Sequence, residues 1–184
     1  MIRRGDSLLR QLIREVLLRE EECKNEGYYG RGGSGMMFVC SEDGTILLLL
    51  RANWVAQPGT WGIPGGALDE DYHETPIDPP LDDSEENEVK SLAAGKKEVV
   101  EECGSMPPDY SDGQVVGRTK YEDCGFQYVT RIVDITKEQK DGWKLRSDDG
   151  ETDEFCWFPR NKLPSNLHFG VPLTLEKLDL LGIM

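Results

Sequence analysis

Histidine is nearly missing from this chain of 184 residues; His73 and His168 stand alone, without the spacing that would seat a metal. The five cysteines, at positions 23, 40, 103, 124 and 156, are scattered singly. With no Cys-x-x-Cys pair, neither a zinc site nor a redox dithiol is signalled, and the odd count suits free thiols in a reducing compartment. The longest apolar run, Ile46 to Leu50, is only strand-sized, so no membrane span is expected. No secretory signal is evident, and the expected location is cytoplasmic. Positive charge is also short: 21 Lys and Arg face 35 Asp and Glu, a formal net charge of -14. That balance argues against general nucleic-acid binding, because phosphates would be repelled. An acidic chain still acts on phosphates where its carboxylates hold divalent cations, since the metal reverses the local sign.

What is present reads as one globular domain with an appended element. Hydrophobic residues make up 38% and charged residues 30%, and no internal repeat is visible. Residues 7–23 place Leu8, Leu9, Leu12, Ile13, Val16 and Leu17 at helical spacing, with Asp6 or Ser7 as cap. This helix, with its turn-rich connector, makes residues 1–31 a unit that packs on the domain or on the partner subunit of a homodimer. Two apolar runs then flank Ser41-Glu42-Asp43-Gly44, a hairpin signal, and the second should be buried on both faces. The following NWVAQPGTWGIPGG is a loop of defined course, with Trp61 and Pro64 shaping the presentation of Gly65 and Gly66.

Between residues 69 and 90 ten side chains are acidic and only Lys90 is basic, which suggests an exposed loop in the front half. A helix can begin near Asp83 and run to Cys103, stopped by Gly104 and Pro107-Pro108. GQVVGRTK, FQYVTRIVDIT and EFCWF read as strands, the second alternating. KEQKDGWKLRSDDG reads as loop, and LTLEKLDLLGI as an amphipathic helix. Strands mixed with helices, without regular β-α-β alternation, predict an α+β class, an α/β/α sandwich around a mixed sheet.

The stretch GKKEVVEECG, residues 95–104, carries three glutamates in five positions. With Glu98 as origin and about 100° per residue, Glu101 falls near 300° and Glu102 near 40°, sharing one arc. Val89, Leu92, Ala93, Val99, Val100 and Cys103 fall between about 100° and 220°. Like charges at i,i+3 and i,i+4 each cost about 0.2–0.5 kcal/mol, and anions near a helix C-terminus oppose its dipole. Folding alone would prefer lysines here. A divalent cation, Mg²⁺ or Mn²⁺, explains the crowding, since both favour hard oxygen ligands. A plain solvated helix surface is the other explanation.

WGIPGGALDEDYHETP taken together with Lys97-Glu98-Val99-Val100-Glu101-Glu102-Cys103-Gly104-Ser105 resembles the Nudix hydrolases, with Gly66 as the leading glycine of the family's box. The resemblance covers roughly residues 33–165. It implies a Nudix-like hydrolase domain over 32–184, interrupted by an acidic insertion at about 69–88. Lys97 stands where the family has arginine, and Ser105 where it has an apolar residue. Gly66 and Lys97 lie 31 positions apart, about 17 more than the box requires. In register with the helix, the first box glutamate would be Val89; its role passes to Glu74, the preferred candidate, to Glu88, or to no residue.

The resemblance further implies a metal-dependent pyrophosphohydrolase acting on a nucleoside diphosphate linked to another moiety, a small-molecule nucleotide derivative. Glu98, Glu102, the assisting Glu101 and the Gly66 carbonyl would hold Mg²⁺ or Mn²⁺. Lys97 and Glu74 complete the box, and Glu151 is the candidate general base, with Glu154 as its alternative. Arg51, Arg118, Lys120 and Arg131 are candidates for phosphate contact, and Trp54, Tyr128 and Trp157 for base stacking. The alternative reading is a Nudix-like nucleotide-binding or regulatory module with weak or no turnover, favoured by Lys97 and the insertion.

Overall fold

The computed structural model describes residues 32–68, 85–123 and 126–182. The expected helix at 7–23, His73, Glu74 and the insertion up to residue 84 lie outside the described residues. Strands β1 (Gly32–Cys40), β2 (Thr45–Arg51), β3 (Trp61–Gly62) and β4 (Gly65–Ala67) come first. Helix α1 (Glu85–Cys103), β5 (Val115–Asp123), β6 (Phe126–Asp134), α2 (Lys137–Gly142), β7 (Thr152–Pro159) and α3 (Gly170–Leu181) follow. The sheet is mixed, in the order β3-β2-β1-β6-β5, with β4 also on β1 and β7 on β2. Only the β1–β6 pairing is parallel among these, so the fold is α+β as predicted.

The expected hairpin forms, closing at Gly44 with φ of 69°, a left-handed turn position suited to glycine. Period-2 geometry sends its buried residues to opposite faces. Met36, Phe38, Leu47 and Leu49 join Val99 and Cys103 of α1, with Trp143 edge-on to Phe38 at 4.8 Å. Met37, Val39, Ile46 and Leu48 join Val171 and Leu178 of α3. Helices thus cover both faces, and each fully buried aliphatic side chain contributes about 1.5–3 kcal/mol. The same two-sided cover corrects the alternation expected of β6, where every residue from Val129 to Val133 is buried.

The stretch read as loop after β6 contains α2. Thr136 Oγ1 accepts the Gln139 N–H at 3.1 Å, and Gln139 Oε1 accepts the Thr136 N–H at 3.0 Å. This capping box was present in the sequence as Thr-x-x-Gln. The path of β1 matters most for the site. One of its edges runs along β6, while the other serves β4 at Gly33–Gly35 and then β2 at Val39 and Cys40.

Candidate functional site

Helix α1 is rolled away from the orientation its apolar pattern suggests. Ser91, Gly95, Val99, Glu102 and Cys103 are buried, while Val89 and Val100 are 62% and 45% exposed. On the wheel the buried arc runs from about 20° to 140°, roughly a quarter-turn from the apolar stripe. Small residues permit the roll: a Cβ on Gly95 would sit 3.0 Å from Ser34 Oγ on β1. Buried Arg131 secures it at the other end, donating to Ser91 Oγ at 2.8 Å and to the Glu88 carbonyl and carboxylate at 2.9 and 2.8 Å. The roll turns Glu98 and Glu102 toward the sheet, so the acidic face is not simply the solvent face.

Gly65 and Gly66 receive these two glutamates differently. Bonds from Met36 N–H to Pro64 O and from Leu68 N–H to Gly32 O, both 3.0 Å, set the phase of the β1–β4 ladder. Antiparallel alternation then makes Ser34 and Gly66 the hydrogen-bonded pair, with both Gly66 peptide groups facing β1. Gly65, opposite Gly35, turns its N–H and carbonyl away from β1, and its N–H donates to Glu102 Oε2 at 2.7 Å. The Gly66 carbonyl expected among the metal ligands is therefore committed to the ladder, and Gly65 presents the outward carbonyl. Gly66 instead makes room for Glu98, whose carboxyl atoms would lie 2.6–2.7 Å from a Cβ there.

The resulting field is strongly anionic. Burial, then the charge of Glu101, pushes the Glu98 carboxyl up to about 7, with Glu151 and Asp149 adding to it and Lys97 opposing. Burial also holds Glu102, 4% exposed, well above the carboxylate range; Glu98 and Asp149 add to the rise, and the Gly65 N–H and Arg51 work against it. Lys97 is exposed and lies 3.6 Å from Glu101, one turn along the helix. Half-buried Glu151 is raised by burial and then by Asp149. Glu154 is exposed on β7.

The remaining candidates divide. Half-buried Arg51 donates from Nε to Ala56 O at 2.7 Å, and its charge acts on Glu102, Glu151 and His168. Trp54 is 66% exposed and available to a flat ligand. Tyr128 is packed under backbone rather than presented: its hydroxyl would lie 2.4 and 2.1 Å from Cβ atoms on Gly35 and Gly65. Arg131 is 1% exposed and engaged with Glu88, Ser91 and, at 3.4 Å, Ser34, which removes it from the candidates for phosphate contact. Arg118 pairs with Glu88 at 3.2 Å, so Glu88 serves two arginines at the far end of α1. Lys120 is exposed on β5, and Trp157 packs into the core beside Trp143. His168 is half-buried, with Nδ1 accepting the Gly170 N–H at 3.3 Å. Burial, then Arg51, pushes its pKa down to about 4.

Among the described residues no three His, Cys, Asp or Glu side chains converge closely enough to enclose a metal ion. The donor set nevertheless fits Mg²⁺ or Mn²⁺. Two carboxylates raised chiefly by burial and an outward backbone carbonyl are hard oxygen donors, and Mg²⁺ ordinarily keeps waters and substrate phosphates for the rest of its shell.

A model of the NUDIX domain family matches residues 31–177. A nucleoside triphosphate pyrophosphatase/Nudix hydrolase fusion protein of Bifidobacterium longum is 27% identical over 150 residues, covering 78% of this chain and 26% of that protein. A putative 8-oxo-dGTP diphosphatase 3 of Mycobacterium tuberculosis is 43% identical over 76 residues, covering 39% of this chain and 33% of that protein. The chain thus spans about a quarter to a third of these curated relatives. The crystal structure of the MutT NUDIX hydrolase from Burkholderia pseudomallei superposes with a TM-score of 0.52 at 22% identity, covering 82% of this chain and 99% of that one. The NUDIX domain of Shewanella oneidensis NrtR, complexed with ADP ribose, gives 0.51 at 17% identity, covering 83% and 88%. At these identities the solved structures establish the shared fold.

Proposed function

The chain belongs to the NUDIX domain family, and from that premise we propose that it is a Mg²⁺- or Mn²⁺-dependent pyrophosphohydrolase cleaving a nucleoside diphosphate linked to another moiety. The observation that carries this is the pairing of Glu98 against Gly66 with Glu102 against the Gly65 N–H. Two carboxylates turned inward at a cost in stability, beside an outward carbonyl, suit a divalent cation that would neutralise a diphosphate. The names of the diphosphatase relative and of the ADP-ribose complex support the substrate class.

In this mechanism Glu98, Glu102 and the Gly65 carbonyl would hold the cation, with Glu101 assisting. The ion, when bound, supplies charge neutralisation of the diphosphate and acidifies the attacking water. Arg51 meets the phosphate oxygens left uncovered, and Trp54 offers a face to the base. Glu151 accepts the proton as water oxygen bonds to one phosphorus and the bridging P–O bond breaks. The leaving phosphate takes the electron pair and then a proton, so two phosphate esters, or a nucleoside monophosphate and pyrophosphate, are released. Within this reading, residues 32–184 form the hydrolase domain and residues 1–31 an appended element.

The test is a panel of nucleotide sugars, dinucleotides and nucleoside triphosphates assayed with Mg²⁺, with Mn²⁺ and with EDTA. Turnover of at least one should need the metal, and Glu102→Gln should lower kcat by about 100-fold or more. No turnover of any substrate by metal-loaded protein would sink the proposal.

A further inference from the structure

The segment between α2 and β7 contains a residue that neither the box nor the helix accounts for. The last carbonyls of a helix have no partner within it. In α1 two of them are taken by this distant segment: Arg146 N–H donates to Cys103 O at 3.1 Å, and Asp148 N–H to Glu101 O at 3.3 Å. Gly104, at φ of 80°, packs so tightly beneath it that a Cβ would lie 2.5 Å from Arg146 Cγ. The segment therefore keeps its register on the helix that carries Glu98, Glu101 and Glu102.

Inside the segment Asp149 organises the chain. Its Oδ1 accepts from Ser147 Oγ and from the Glu151 N–H, both at 2.8 Å, while Ser147 Oγ accepts the Gly150 N–H at 3.1 Å. Gly150 takes the left-handed turn, with φ of 77°. Beyond it the Glu151 carbonyl receives the Ala52 N–H at 2.8 Å, tying it to the chain after β2. Glu151 is thus held on its N–H by Asp149 and on its carbonyl by Ala52, between the end of α1 and the strand that ends in Arg51. An unheld glutamate in a glycine turn would sample many backbone states, and a small misplacement of a proton acceptor lowers the rate steeply.

We propose that Asp149 is a positioning residue that fixes Glu151 at the rim of the carboxylate cluster, acting through its acceptor oxygen. This rests on the reading of Glu151 as proton acceptor. One oxygen makes both bonds, so asparagine should replace aspartate and alanine should not.

The experiment compares Asp149→Asn, Asp149→Ala, Glu151→Gln and the double variant Asp149→Ala/Glu151→Gln in the full chain, using the best substrate of the panel with Mg²⁺. Asp149→Ala should lower kcat by about 10-fold or more with KM within about twofold, and Asp149→Asn should stay within about threefold of wild type. Glu151→Gln should lower kcat by about 100-fold, and Asp149→Ala should add nothing in that background. Equal losses in the two Asp149 variants, or full additivity with Glu151→Gln, would overturn the proposal. Amide exchange at Glu151 gives an independent reading. It should quicken by about 10-fold in Asp149→Ala and hold in Asp149→Asn, and unchanged exchange in the alanine variant overturns the assignment. A Glu151→Gln variant with wild-type kcat would defeat the proton-acceptor reading alone, leaving amide exchange to decide the positioning role.

Discussion

Glu98→Gln should stabilise the metal-free protein, and increasingly so as pH rises. The carboxyl of Glu98 sits at about 7 in the fold, against an ordinary value of 4.5. Between those values the folded protein keeps a proton that the unfolded chain has released, so stability falls as pH increases across this window. A shift of that size corresponds to about 3 kcal/mol, and partial exposure with solvent screening reduces it to about 1–2 kcal/mol. Glutamine has the same shape and never ionises, so it escapes this loss. For a domain of this size each kcal/mol moves Tm by about 2–4 °C, which predicts a gain of about 2–8 °C at pH 8 and none at pH 4. The assay is thermal melting of both proteins in EDTA from pH 4 to 8.5, read as the difference between them. Millimolar Mg²⁺ should raise the wild-type Tm and narrow the gap, because the ion binds the charged carboxylate in the folded state. A glutamine variant less stable than wild type at pH 8, or a gap independent of pH, would refute the reasoning.

The adjacent glycines should respond to alanine in different ways. At Gly65 a Cβ meets Tyr128 Oη at 2.1 Å and the Gly35 and Ser34 backbone at 2.7 Å, so Gly65→Ala should cost about 2–4 kcal/mol in urea unfolding. At Gly66 its three nearest atoms all belong to the carboxyl of Glu98, a movable side-chain end, so Gly66→Ala should fold with near-native stability and lose most of its kcat. Equal stability losses at both positions would count against this division. Arg131→Met removes the buried bonds to Ser91 and to the Glu88 carbonyl, while partly exposed Glu88 keeps Arg118, and should cost about 1–3 kcal/mol in denaturant, whereas a loss under about 0.5 kcal/mol would show these bonds to be dispensable. His168 carries the opposite pH slope to Glu98. Its pKa of about 4 lies below the ordinary 6.5, so stability is present above 6.5 and lost as pH falls toward 4. His168→Gln should flatten that acid limb of the melting curve, and an unaltered limb would exclude His168 as its source.

Much of the fold was legible locally. The hairpin, the helix ending at Gly104 and the three later strands follow from apolar runs and turn residues, signals that act over a few positions. Helix α2 was equally legible through Thr136 and Gln139, but a charged, short segment hid it. The even burial of β6 could not be read from its own residues, because it depends on two helices covering opposite faces of the sheet.

For the site, sequence sufficed to bring Glu98, Glu101 and Glu102 to one arc of a helix, since helical geometry sets it, while their association with a glycine pair came from the resemblance of the flanking stretches to the family's box, across an insertion of about 17 residues. The roll of α1 had to come from tertiary packing: Gly95 and Ser91 let the helix approach β1, and Arg131 pulled it inward. The phase of the β1–β4 ladder decided that the Gly65 N–H faces Glu102 while the Gly66 peptide groups face the neighbouring strand. The seating of residues 146–151 on the end of α1 set Asp149 and Glu151 beside them. Composition and periodicity describe one element at a time. Which carboxylate meets which peptide group depends on how two elements slide and turn against each other, and only packing settles that.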